Sequence, residues 1–156
     1  MFHHIYLRTS SQATEDTEKV RSALRLFFPQ RDDAGNDEPD IIHESIMSGH
    51  YGNLITILEA EIVKKKDGKY VIDLIKQHLD PEELSRIVTE LPLRIDEECN
   101  LYLRFDKQEA YKGNLKMAQI SDAILLRIKL KAYPAKQEKA IYVAKELFSE
   151  VNCGHN

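Results

Sequence analysis

Residues 124–131 alternate without a break. Ile124, Leu126, Ile128 and Leu130 fall on one parity, and Leu125, Arg127, Lys129 and Lys131 on the other. Successive side chains of a strand point to opposite faces, so this pattern predicts a strand with one apolar and one cationic side. A parallel sheet covered on both faces has no place for such a strand, because its strands are apolar all round. The pattern requires a sheet packed on one face and open to water or a ligand on the other.

The rest of the chain supplies neighbours for that strand. Phe2 to Arg8 reads as a strand rich in aromatic and β-branched side chains, followed by a polar stretch from Thr9 to Thr14. Val20, Ala23, Leu24 and Phe27 then recur at helical spacing, with Pro29 beyond the helix end. Residues 30–40 are acidic, with Gly35 and Pro39, and form a loop by composition, without calcium-loop spacing. Asp40 to Met47 and Leu54 to Val63 read as two strands around the turn Ser48–Asn53, which makes a β-hairpin. In the second strand Leu54, Thr56, Leu58, Ala60 and Ile62 share one face, and Ile55, Ile57, Glu59 and Glu61 the other.

Lys64 to Gly68 reads as a turn, and Tyr70 to Leu79 as a helix with Val71, Leu74, Ile75 and His78 on its apolar side. Asp80-Pro81-Glu82-Glu83 carries a cap, a first-turn proline and a capping box, and Pro92 stops the helix that follows. Leu101 to Phe105 is a strand, Lys107 to Lys112 a single helical turn and Leu115 to Ala118 a short strand. Pro134 opens a last helix with Ala140, Val143, Ala144 and Leu147 facing inward. Hairpins and helices without regular βαβ alternation predict an α+β fold: a mostly antiparallel sheet with helices packed on one face. A length of 156 residues fits one domain over residues 1–150, with 151–156 a frayed tail.

Composition then removes function classes. There is no run of 18 apolar residues, and Met1 to Arg8 lacks a basic region ahead of an apolar stretch. Cys99 and Cys153 make neither a disulfide framework nor a zinc knuckle. The expectation is a reduced, cytoplasmic protein with no membrane partner. His3, His4, His43, His50, His78 and His155 show no metal-ligand spacing, and neither a phosphate loop nor a dinucleotide fingerprint is present. The two glycines around His50 and Tyr51 fit plain turn chemistry better than a phosphate nest. No metal, no cofactor and no catalysis are therefore expected. Two alternatives stay open: an RNA- or nucleotide-acting enzyme using His43, His50 and nearby acids, and an interaction module that forms a homodimer through a sheet edge or helix face.

Charge is unevenly spread. Residues 101–145 hold ten Lys and Arg against four acids, whereas the whole chain is −4. Arg127, Lys129 and Lys131 stand about 6.6 Å apart along one strand face, close to phosphate spacing along one nucleic-acid strand. Arg104 sits on the polar side of another strand. Lys107, Lys112, Lys136 and Lys139 follow nearby in sequence, and Tyr102 and Tyr111 are placed to stack on unpaired bases. The expected patch of Arg104, Lys107, Arg127, Lys129, Lys131 and Lys136 suits a phosphate backbone, because lysine is a point charge without a fork for base edges. An ordinary solvated face is the competing reading.

The stretch Leu101-Tyr102-Leu103-Arg104-Phe105-Asp106-Lys107-Gln108-Glu109-Ala110-Tyr111-Lys112-Gly113 resembles the LRxDKQxAYxG signature of an archaeal family of small predicted RNA-binding proteins, described as a predicted exosome subunit. Ile128 to Lys136 is similar to its second signature, a strand running into a helix. Gly49 to Ile55 resembles its hairpin turn GxHGNPI, with Tyr51 inserted between His50 and Gly52 and Leu54 in place of the proline. The resemblance implies an α+β fold like that of large-subunit ribosomal protein five. It also implies RNA as partner, with a place in a larger RNA-processing assembly, and it brings no catalytic residues.

Overall fold

The computed structural model describes residues 1–29, 42–49 and 51–149. The predicted loop at 30–40, His50 and the tail at 151–156 lie outside the described residues.

Five strands form one antiparallel sheet in the order β2-β3-β1-β5-β4. They are β1 (Phe2–Ser11), β2 (His43–Ser48), β3 (Leu54–Ile62), β4 (Asn100–Phe105) and β5 (Ile124–Leu130). Register places like with like. Leu101, Ile128, Ile5 and Ile62 form one cross-strand row, and Leu103, Leu126, Leu7 and Ala60 the next. These rows are buried, and they belong to one core with helix residues Ala23, Leu24, Val71, Ile75, Ile87, Ala140, Ala144 and Phe148. Each fully buried Leu, Ile or Phe side chain contributes about 1.5–3 kcal/mol, so this face holds the molecule together. The α+β architecture with one covered face is therefore as expected.

The helices are α1 (Thr17–Arg25), α2 (Lys65–His78), α3 (Pro81–Thr89), α4 (Leu91–Arg94), α5 (Lys107–Tyr111) and α6 (Gln137–Ser149). Several boundaries differ from the sequence expectation for identifiable reasons. β1 runs on through the polar residues Thr9–Ser11 because they pair with Thr56–Leu58 and the Thr9 hydroxyl donates to the Ala123 carbonyl. Lys64–Gly68 is no turn, since α2 already begins at Lys65. Gly68 is buried against the Phe2 ring, where any Cβ would collide. His78 is exposed at the helix end, and its neighbour Leu79 takes the buried place.

Asp80 caps α3 as expected, accepting from the Glu82 amide at 2.8 Å. Glu83 does not close a capping box: its carboxylate accepts from the Met117 amide. Pro92 does not simply stop a helix either, for it lies in the first turn of α4, where a missing amide costs nothing. Leu115–Ala118 contributes only an isolated bridge, Met117 with Phe105. α6 starts at Gln137, three residues after Pro134.

Candidate nucleic-acid interface

The side of the sheet away from the core carries the alternate residues. Its central row runs Tyr102, Arg127, Tyr6, Glu61 across β4, β5, β1 and β3. The next row runs Arg104, Leu125, Arg8, Glu59, His43, and on the other side Asn100, Lys129 and His4 are neighbours. Strand pairing thus brings Arg104, Arg127 and Lys129 together, with Tyr102 among them. It adds Tyr6 and Arg8, which are absent from the expected patch although the same period of two in β1 places them there.

The central row is pre-arranged. The Arg127 guanidinium lies 4.6 Å from the centre of the Tyr6 ring, a cation–π contact. Its Nε is buried and has no hydrogen-bond partner among the described residues. Tyr6 donates to the Glu59 carboxylate, and burial together with that carboxylate pushes its pKa up to about 12. Tyr102 donates to Asp96 at 3.0 Å, and burial followed by this bond raises the phenol in the same direction. Burial tends to raise Asp96, but donors from Asn100, Tyr102 and Glu98 outweigh it and hold the carboxyl below the ordinary value. Lys129 donates to the Glu98 carbonyl at 2.5 Å, so the loop before β4 steadies its ammonium at the sheet margin.

The remaining expected residues part company. Lys107 is 7% exposed and its ammonium is enclosed by Glu15 at 3.1 Å, Asp122 at 2.9 Å and the Ser10 carbonyl at 2.8 Å. It is a structural cation and does not join the patch. Lys112 and Tyr111 lie at the end of α5 beside α1, where Lys19 approaches the Tyr111 ring and Lys112 faces Glu109. An open groove lies there, lined by Glu15, Asp16, Lys19, Gln108, Tyr111 and Lys112. Its charge is mixed, which suits a polyanion poorly. Lys136 and Lys139 are exposed just before and within α6, a helix of the covered side. Lys131 is exposed one residue past β5.

A second open region, near α3, is lined by His78, Asp80, Glu82, Glu83, Arg86, Glu109, Asn114, Leu115 and Lys116, with four acids against Arg86 and Lys116. Among the described residues no group of three or more His, Cys, Asp or Glu is arranged to hold a metal, and no helix is long and apolar enough to cross a membrane. Cys99 is buried, with its thiol directed at the Lys136 carbonyl.

RNA-binding protein PAB1135 of Pyrococcus abyssi is 34% identical over 144 residues, covering 92% of each chain. The crystal structure of a DUF54 protein from Archaeglobus fulgidus superposes with a TM-score of 0.80 at 33% identity, covering 94% of this chain and 99% of that one. Mth689, a DUF54 protein from Methanothermobacter thermautotrophicus, gives 0.77 at 32% identity, covering 96% and 99%. A family model described as RNA binding matches residues 4–130, a span that holds the whole of the sheet apart from the first two residues of β1, and the chain belongs to that RNA-binding family.

Proposed function

We propose that this protein is a non-catalytic RNA-binding protein that holds the phosphate backbone on the open face of its sheet. The observation that carries the reading is the convergence of Arg104, Arg127 and Lys129 on that face in a chain of an RNA-binding family. Cations at strand spacing neutralise successive phosphates and release their counterions, and Tyr102 stands among them as a ring on which an unpaired base can stack. The cellular setting we infer is cytoplasmic RNA processing, turnover or ribosome-related work. The signatures at 101–113 and 128–136 point to a predicted exosome subunit with a fold like that of large-subunit ribosomal protein five.

Fluorescence anisotropy with labelled single-stranded and hairpin RNAs tests the reading. Binding should weaken with salt at a slope of about 0.7 per phosphate contacted on a single strand. A Kd weaker than about 10⁻⁴ M at physiological salt would remove it. A homodimer is the second reading, favoured by β2: it is an edge strand, exposed along all six residues, with Ile46 68% and Met47 50% exposed. A monomeric mass by light scattering would reject it.

A further inference from the structure

We propose that the bound RNA runs along β5 and leaves the sheet at the end where β1 begins, passing onto a lysine cluster made by Lys131, Lys65 and Lys69. This rests on the reading of the open face as an RNA surface and adds a direction and a second set of phosphate-binding groups.

Topology supplies the cluster. Phe2 of β1 pairs with Leu130 at the end of β5, and Ile5 pairs with Ile62 at the end of β3. The Lys131 amide donates to the Met1 carbonyl at 2.9 Å. α2 starts three residues after β3, with Gly68 set against the Phe2 ring. The last residues of two strands, the first of a third and the first turn of α2 thus meet at one end of the sheet. Lys65 and Lys69 are one helical turn apart on α2, so they share a side of the helix, and both are exposed. Lys131 continues the parity of Arg127 and Lys129 and is exposed too. The pKa of the Met1 amino group is lowered by burial and then by the charges of Lys131 and Lys65, so both lysines lie within electrostatic range of the start of β1. His3 is lowered by burial and then by Lys131, His4 and Lys129.

Two further observations favour this direction. Glu59 and Glu61 line β3, so a polyanion crossing the sheet from β5 toward β3 meets repulsion, whereas one running along β5 does not. The start of α2 is also cationic against its own interest. Lys64 stands at the cap with no side-chain hydrogen bond, Lys65 and Lys66 follow, and Asp67 is the acid of the first turn. Cations there oppose the helix dipole, so helix stability does not account for them.

The test uses full-length protein and two labelled oligouridylates, a tetramer and a dodecamer. Arg127 to Lys131 spans about 13 Å, within reach of the tetramer, and only the dodecamer extends past the sheet end. For the dodecamer, the double variant Lys65→Ala/Lys69→Ala should reduce the salt slope by about 1.4, that is about 0.7 for each phosphate no longer neutralised, and tetramer binding should not change. Both lysines are exposed, so thermal melting should be preserved, and Lys65→Arg/Lys69→Arg should keep the slope. Lys76→Ala removes one charge about 16 Å from Lys65 and about 10 Å from Lys69 along the same helix and should have no effect. If the dodecamer binds wild-type protein and Arg127→Ala weakens it, but Lys65→Ala/Lys69→Ala leaves affinity and slope unchanged, this inference falls and the sheet-face reading stands. If Lys76→Ala acts as strongly as the double variant, the effect is a general field and the cluster does not touch the RNA. Failure of wild-type protein to bind either oligomer removes the sheet-face reading itself.

Discussion

A lysine in a basic stretch has two fates, and Lys107 illustrates the less visible one. Its ammonium is almost wholly buried among Glu15, Asp122 and the Ser10 carbonyl. Removing one member of a buried charge group costs about 3–5 kcal/mol, and partial exposure of the two acids brings the expected loss for Lys107→Ala to about 2–3 kcal/mol. Urea unfolding should show that loss, while RNA affinity of the folded fraction stays as in wild type. Equal affinity loss without destabilisation would return Lys107 to the interface. Tyr6 gives a pH-dependent counterpart. Its pKa rises from 10.0 to about 12 on folding, through burial and the bond to Glu59. Folding therefore favours the neutral phenol. That contribution is complete below pH 10 and is lost as pH climbs toward about 12. Thermal melts across this window should fall steeply for wild type and less so for Tyr6→Phe, and identical profiles would show that Tyr6 is not the group responsible.

Elements with a strong period are legible in the sequence, and those decided by distant contacts are not. β5 declares itself through alternation, and the hairpin of β2 and β3 through its glycine turn. The Asp80 cap with Pro81 marks the start of α3. The first turn of α2 is hidden because lysines, aspartate and glycine in a row look like loop. What makes it helix is the burial of Val71, Ile72 and Ile75 and the seat of Gly68 on Phe2. Of the candidate site, Arg104, Arg127 and Lys129 follow from parity alone. The withdrawal of Lys107 does not, since its partner Glu15 lies 92 residues away in the chain. Gly68 yields the prediction at this scale. Ala in mid-helix ordinarily gains about 1 kcal/mol over Gly. Here the new methyl group meets the Phe2 ring, and overpacking of this kind costs about 1–3 kcal/mol. Gly68→Ala should therefore lower stability. Combined with Phe2→Ala, it should destabilise by less than the sum of the two, with a coupling of about 0.5–3 kcal/mol by urea unfolding. Additive losses would mean the two do not touch in solution.

At the scale of the whole molecule, the net charge of −4 and the proposed polyanionic ligand have to coexist. They can, because at physiological salt exposed charges are felt only within about 8 Å, so the local arrangement decides rather than the total. The open face is divided. Arg8, Arg104, Arg127 and Lys129 lie on β1, β4 and β5, while Glu59 and Glu61 lie on β3, and the acids around α3 line a separate region. Such a division should position RNA as well as attract it. Glu61 is the acid to test, since Glu59 is engaged by the Tyr6 hydroxyl whereas Glu61 is 54% exposed and touches His4 only at 3.8 Å. Glu61→Gln should leave stability within about 0.5 kcal/mol. It should tighten RNA binding about 1.5- to 5-fold, the size of an exposed charge interaction of about 0.2–1 kcal/mol, with the larger gain at low salt. Glu82→Gln, in the acidic region beside α3, makes the same change in net charge and should not tighten binding at physiological salt. If both variants gain equally, total charge governs affinity and the two-sided face has no directing role. If Glu61→Gln gains alone, the field of a single carboxylate on β3 reaches the bound RNA, which places the RNA on the open face of the sheet and away from the acidic region beside α3.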